Sequence, residues 1–157
     1  MLFFEGTNPA EEKQPGLELA TFRIRVGHVI FVNVGDTRID GKITGVYTSP
    51  PSPARNTLEI AAQYLSTGNA AAAVEGRVEI RGGNGDVVAT MPIDRKVALP
   101  GATTLFVGSL GSALPKGDYS ALIILNYGDK QRDVVGEVTF RLEQDLAPGP
   151  SAATPGS

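Results

Sequence analysis

The chain has no cysteine and no tryptophan, and its one histidine is His28. Without cysteine there is no disulfide scaffold, no thiol catalysis and no thiolate zinc site, while the compartment stays open. One histidine excludes a histidine-rich metal site within a single chain. Aromatic residues make up 6% of the sequence, too few to build a convincing sugar-stacking platform. Basic charge is also short: 14 Lys and Arg stand against 17 Asp and Glu, a net charge of −3. A nucleic-acid binder normally carries a basic face, so this balance argues against one. No run approaches the roughly 18 apolar residues of a membrane span. The start, Met1 to Glu5, is too short for a signal peptide and no Lys or Arg precedes it. Leu2, Phe3 and Phe4 read like the middle of a strand, which suggests a fragment of a longer protein.

What is abundant is turn-forming residues, 19 Gly and 11 Pro in 157 residues. A chain that turns this often favours β-structure over long helices. With 41% apolar and 20% charged residues it has the composition of one globular domain with appendages.

The dominant pattern has period two. Val74, Gly76, Val78 and Ile80 alternate with Glu75, Arg77, Glu79 and Arg81, which only a half-buried strand puts on opposite faces. Gly82-Gly83-Asn84-Gly85-Asp86 follows, and its Asn-Gly pair predicts a type I′ hairpin into Val87 to Met91. Val134 to Glu143 is a second clean strand. Thr57 to Leu65, Thr103 to Val107 and Tyr119 to Tyr127 read as strands, and Arg38 to Thr48 as a weaker one. The Ala content of Thr57 to Leu65 also permits a short helix. Leu99-Pro100-Gly101-Ala102 fits a type II turn. Tyr119, after Gly117-Asp118, is either a tyrosine corner or a core tyrosine with its hydroxyl at the edge. Leu122 and Ile124 form an apolar second face, expected to be covered as on a central strand.

These signals predict an all-β fold: an immunoglobulin-like β-sandwich of about seven strands over residues 36–145, preceded by a β-hairpin in residues 1–35. Residues 146–157, Leu146 to Ser157, are small, uncharged at the side chains beyond the leucine, and rich in Pro and Gly; they read as a disordered tail. In the N-terminal part, Leu17 to Val34 reads as one very long strand. Phe22, Ile24, Val26, His28, Ile30, Val32 and Val34 share a face, and Arg23 and Arg25 lie opposite. After Gly27, Val29 and Phe31 make both faces apolar, and the Gly suggests a bulge or bend.

The search for reaction chemistry returns little. Gly108-Ser109-Leu110-Gly111 lacks the first Gly of a nucleophile elbow, and the only histidine that could serve as base sits in a strand pattern. Gly82 to Gly85 is followed by no Gly-Lys-Ser and no helix, so it is a hairpin and not a phosphate loop. Asp36, Asp40 and Gly41 lack the dense oxygen ligands of a calcium loop. Asp129, Asp133, Glu143 and Asp145 read as solvated surface acids. The reading is no enzyme, no catalytic residue, no metal and no cofactor.

Two resemblances then add to the residue-level reading. Ser66-Thr-Gly-Asn69, Gly85-Asp-Val-Val88, Leu99-Pro-Gly101 and Leu114-Pro-Lys-Gly-Asp-Tyr119 resemble the turns of bacterial immunoglobulin-like modules, over about two-thirds of the chain. Leu2-Phe-Phe-Glu5, a polar loop with Pro9 and Pro15, and Leu17 to Val32 resemble the closing hairpin of the first domain of a periplasmic pilus (PapD-like) chaperone. That resemblance implies strand donation to an incomplete pilus subunit, a form of β-augmentation. The matching donor positions are Leu17, Leu19, Phe22, Ile24 and Val26, with a register irregularity at Ala20-Thr21. It also implies a basic anchor for the subunit's C-terminal carboxylate, best matched by Arg25. Most of such a first domain is absent, including a second basic anchor and the Arg-Pro near the domain junction.

The expected function is therefore non-catalytic protein binding by strand addition, chaperone-like in pilus or surface-appendage assembly. The partner would be a pilus-like subunit, with a strand-swapped homodimer as a second form of pairing and no nucleic acid. The expected location is periplasmic or extracellular. The rivals are a passive spacer module of an extracytoplasmic protein and a carbohydrate-binding module.

Overall fold

In β4 (Leu58–Ser66) every second side chain is buried and those between are half-buried, as period two requires of a strand facing a core. Its alanines make strand, not helix. The computed structural model describes residues 2–6, 24–28, 30–32, 34–52 and 55–147. The chain divides into two units, Met1–Val34 and Gly35–Ser157.

The larger unit holds seven strands in two antiparallel sheets, a β-sandwich. One sheet has three strands: β3 (Gly41–Ser49), β4 and β7 (Thr103–Leu110), in the order β3-β4-β7. The other has four: β5 (Ala72–Arg81), β6 (Val87–Ala98), β8 (Gly117–Asn126) and β9 (Val134–Leu142), in the order β6-β5-β8-β9. First, second and fifth strands thus face third, sixth and seventh, as in an immunoglobulin-like sandwich. The fourth strand lies beside the third instead of joining the first sheet.

The inner faces meet in one core. Leu58, Ile60 and Tyr64 come from β4, Val74, Val78 and Ile80 from β5, Phe106 from β7, and Ile123 and Leu125 from β8. Tyr64 and Phe106 make an edge-to-face contact, centroids 6.0 Å apart at 89°. Fully burying side chains of this size contributes about 1.5–3 kcal/mol each. On one flank β3 and β9 approach so closely that a side chain at Gly136 would meet Val46 and Ile43.

Three local expectations are corrected. The sequence reading ended the fourth strand at Met91, but β6 continues through Pro92 to Ala98. Proline supplies no ladder N–H, and β6 tolerates it because it is the sheet edge. The Gly82–Asp86 turn is not type I′. Gly85 N–H donates to the Gly82 carbonyl at 2.9 Å, so Gly83 and Asn84 are central, and Gly85 alone takes positive φ, 85°. Gly82 N–H donates in turn to the Asp86 carbonyl at 3.0 Å, the pattern of a type I turn closed by a glycine bulge at Gly85. Leu146 is not the head of a tail: it is buried and exchanges backbone hydrogen bonds with Leu114 at 2.8 and 3.1 Å. Residues 148–157 lie outside the described residues.

Two turn readings stand. Ala102 N–H donates to the Leu99 carbonyl at 3.0 Å, with Gly101 at φ 72°, a type II turn. The Tyr119 hydroxyl donates to the Pro115 carbonyl at 2.8 Å, so the tyrosine-corner alternative is the one realised. Its ring stacks on Phe140 at 5.8 Å. Tyr119→Phe keeps the ring and loses the bond, and should cost about 1 kcal/mol in urea denaturation.

Tyr64→Phe should behave in the opposite way. The Tyr64 hydroxyl is buried with no hydrogen-bond partner among the described residues, and Gly41 makes room for it. Removing an unsatisfied hydroxyl should leave stability unchanged or raise it by up to about 1 kcal/mol at neutral pH. Burial first, then the charges of Tyr127 and Asp40, push this phenol up to about 12. A raised folded pKa contributes stability that is complete below the unfolded value, about 10, and is lost as pH rises through the folded value. The variant's advantage should therefore widen in alkaline urea titrations.

Candidate functional site

The smaller unit contains a two-stranded antiparallel sheet, β1 (Leu2–Gly6) against β2 (Ile24–His28). Of the expected donor positions, Ile24 and Val26 lie on β2, opposite Gly6 and Phe4. Arg25, the expected carboxylate anchor, lies opposite Glu5. Leu17, Leu19 and Phe22 lie outside the described residues.

The expected long strand does not continue to Val34. Its ladder ends where His28 meets Leu2, and no described residue faces the positions that follow. A strand needs a neighbour to hold its backbone groups, and alternation alone does not provide one. The consequence is an exposed apolar run: Ile30 is 62%, Phe31 48%, Val32 78% and Val34 88% accessible. Scattered apolar residues on a surface are ordinary, but several in succession mark a contact site or an aggregation hazard. The sequence signal for this run was there, in the joining of Val29 and Phe31 to the apolar face after Gly27. That no described residue pairs with it was not.

The sandwich offers less to a partner. At the β7 edge, the Lys96 ammonium donates to the Leu105 carbonyl at 3.0 Å and lies 5.8 Å from the Phe106 ring centre. A lysine over a free carbonyl blunts that edge. The β6 edge carries Pro92 and a bulge between Gly76 and Val74 of its neighbour. The outer face of the four-stranded sheet is charged. Arg77 and Arg81 each donate to the Glu79 carboxylate at 2.9 Å, and these two bonds hold its pKa below the usual carboxylate range. Leu122 and Ile124 are half-buried beside this row, opposite Glu79 and Arg77.

The loop from β8 to β9 is internally tied. Asn126 donates to the Asp129 carbonyl at 3.2 Å and to Asp133 at 2.9 Å. Asp129 accepts from Gln131 N–H and from Arg132, which lower its pKa in that order. These acids hold a loop shape. An open depression of about 630 Å³ lies among Gly82, Gly83, Gly85, Asp118, Ser120, Thr139 and Arg141. The Tyr119 hydroxyl at its margin is already engaged by Pro115. Among the described residues no group of three His, Asp or Glu side chains is placed to hold a metal.

Comparison with known proteins identifies no family. No protein-family model matches the chain, and no curated protein matches it. A solved structure of a protein designated ApaA, from Bordetella pertussis, aligns with 74% of this chain and 98% of its own at 15% identity. Its TM-score is 0.30, and a likeness this low carries no argument about fold or function.

Proposed function

We propose that this chain is a non-catalytic protein-binding module that engages its partner by β-strand addition. The observation that carries the reading is the β1–β2 sheet, two strands wide, with an exposed apolar run beyond its end. Among the described residues this sheet is two strands wide, a width that is marginal in water and that a third strand would stabilise. A partner strand laid on β2 would satisfy backbone groups along one edge, and alternate side chains would select it.

The resemblance to a pilus chaperone's closing hairpin supplies the partner class: an incomplete, strand-deficient subunit of a pilus or other surface appendage, outside the cytoplasm. In that role Leu17, Leu19, Phe22, Ile24 and Val26 supply the apolar contacts, and Arg25 holds the subunit's C-terminal carboxylate. The experiment is titration of the full chain with a strand-deficient pilus-type subunit. Phe22→Asp with Ile24→Asp should weaken binding at least about 100-fold, roughly 2.7 kcal/mol. Unchanged binding by the double variant contradicts the strand-donor reading.

A passive spacer is the second reading, favoured by one observation. The Gly35–Ser157 unit has a closed core, a charged outer face and a lysine-capped edge among its described residues. A spacer stays monomeric and ignores the subunit in the same titration.

A further inference from the structure

We propose that Asn84 is a site of spontaneous covalent modification, gated by opening of the turn between β5 and β6, and that the modified turn cannot close again. Asn84 is the only asparagine of the chain that glycine follows. A following glycine leaves its backbone nitrogen unscreened by a side chain. Among the described residues nothing lies within 4 Å of where a Cβ would stand at Gly85. Asn84, Gly85 and Asp86 are all exposed, so water reaches the turn.

The reaction needs only water. The Gly85 N–H gives up its proton and the nitrogen attacks Asn84 Cγ. The new C–N bond closes a five-membered imide as the Cγ–Nδ2 bond breaks, and Nδ2 leaves as ammonia with that proton. Water then adds to one imide carbonyl and cleaves its bond to the ring nitrogen. Cleavage at Cγ gives an aspartate. Cleavage at the backbone carbonyl carbon gives an isoaspartate, whose main chain runs through Cβ and Cγ and is one carbon longer.

The closed turn restrains the atoms that must react. Gly85 N–H is engaged by the Gly82 carbonyl at 2.9 Å. The Asn84 carboxamide is held at both ends by one residue: Oδ1 accepts from Asp86 N–H at 3.2 Å, and Nδ2 donates to the Asp86 carboxylate. Gly82 N–H, donating to the Asp86 carbonyl at 3.0 Å, closes the turn. Cyclisation waits for these bonds to open, so its rate follows the open population. The products lack what closed the turn. Each replaces the Nδ2 donor by a carboxylate facing that of Asp86, a like-charge contact in place of a hydrogen bond. The isoaspartate also lengthens the backbone between the Gly82 carbonyl and the Gly85 N–H, and a four-residue turn has no place for the extra carbon.

The test is incubation of the full chain in mildly alkaline buffer beside a peptide of Gly82 to Val88, with conversion of Asn84 followed by ion exchange and peptide mass. Conversion in the folded chain should run about 10- to 100-fold slower than in the peptide. Asp86→Ala should speed it at least about threefold in the chain and leave the peptide's rate unaltered, because only the chain holds the carboxamide on Asp86. The urea midpoint of that variant reports that the sandwich stays folded. In purified converted chain the Gly82 and Gly85 amides should exchange at least about tenfold faster than before conversion. Conversion as fast as the peptide's, or an Asp86→Ala effect equal in chain and peptide, overturns the gate. No conversion at Asn84 within about 100 peptide half-lives overturns the site. Unchanged exchange at the two amides after conversion overturns the claim that the turn stays open. None of these outcomes involves a pilus-type subunit, so the strand-donor reading is left to its own titration.

Discussion

Phe106→Ala should lower the unfolding free energy by about 3–5 kcal/mol, a large share of what holds an ordinary domain together. Phe106 is fully buried on β7, at the meeting of the two sheets. Its ring stands edge-on to Tyr64, and the Lys96 ammonium lies 5.8 Å from its centre. Alanine forfeits the transfer energy of the ring, leaves a cavity the flanking strands cannot close, and removes the aromatic contact. Lys96 would keep its bond to the Leu105 carbonyl, so the edge cap should survive where the core does not. The check is a urea titration in which the midpoint falls and the slope stays constant, the mark of lost stability without a changed denatured state. A loss under about 1 kcal/mol would mean that the sheets close over the space.

Gly76→Ala should cost at least about 3 kcal/mol, from a single methyl group. Gly76 lies on β5 between β6 and β8, opposite Ile93 on one side and Leu125 on the other. A Cβ there would stand 2.1 Å from the Ile124 carbonyl oxygen. Backbone on a central strand has no free direction in which to move, because displacement breaks a ladder on one side or the other. Gly111→Ala is the matched control. Nothing lies within 4 Å of its Cβ position and its φ is not positive, so the change should stay within about 0.5 kcal/mol. Similar losses at both sites in thermal or urea melts would contradict the steric account.

The sandwich was legible in the sequence where alternation and turn chemistry agreed. Val74 to Ile80 could satisfy period two in only one way, and Leu99-Pro100-Gly101 carried both residues that a type II turn demands. Legibility failed where the outcome depended on a neighbour. Pro92 reads as a stop in a paired strand, but β6 is an edge and runs on. Asn84-Gly85 names a turn, yet Gly82 and Gly83 allow the chain to close one residue earlier. Leu146 sits in a tail-like composition and is held by Leu114, far away in sequence. The candidate site shows the same limit. The alternation from Ile24 to Val34 states which side chains could share a strand face. It is silent on whether a strand exists to pair with them, and beyond His28 no described residue does.

The most direct test of strand addition is hydrogen exchange across residues 24–34 of the full chain, alone and with a strand-deficient pilus-type subunit. Backbone amides of an unpaired edge exchange fast, and a partner strand protects them in proportion to the free energy of opening. The account predicts fast exchange in the dilute chain and slowing by at least about 100-fold on saturation with the subunit. Slow exchange in the dilute chain alone, unchanged by the subunit, would mean that the run is already paired within its own molecule, and would contradict it.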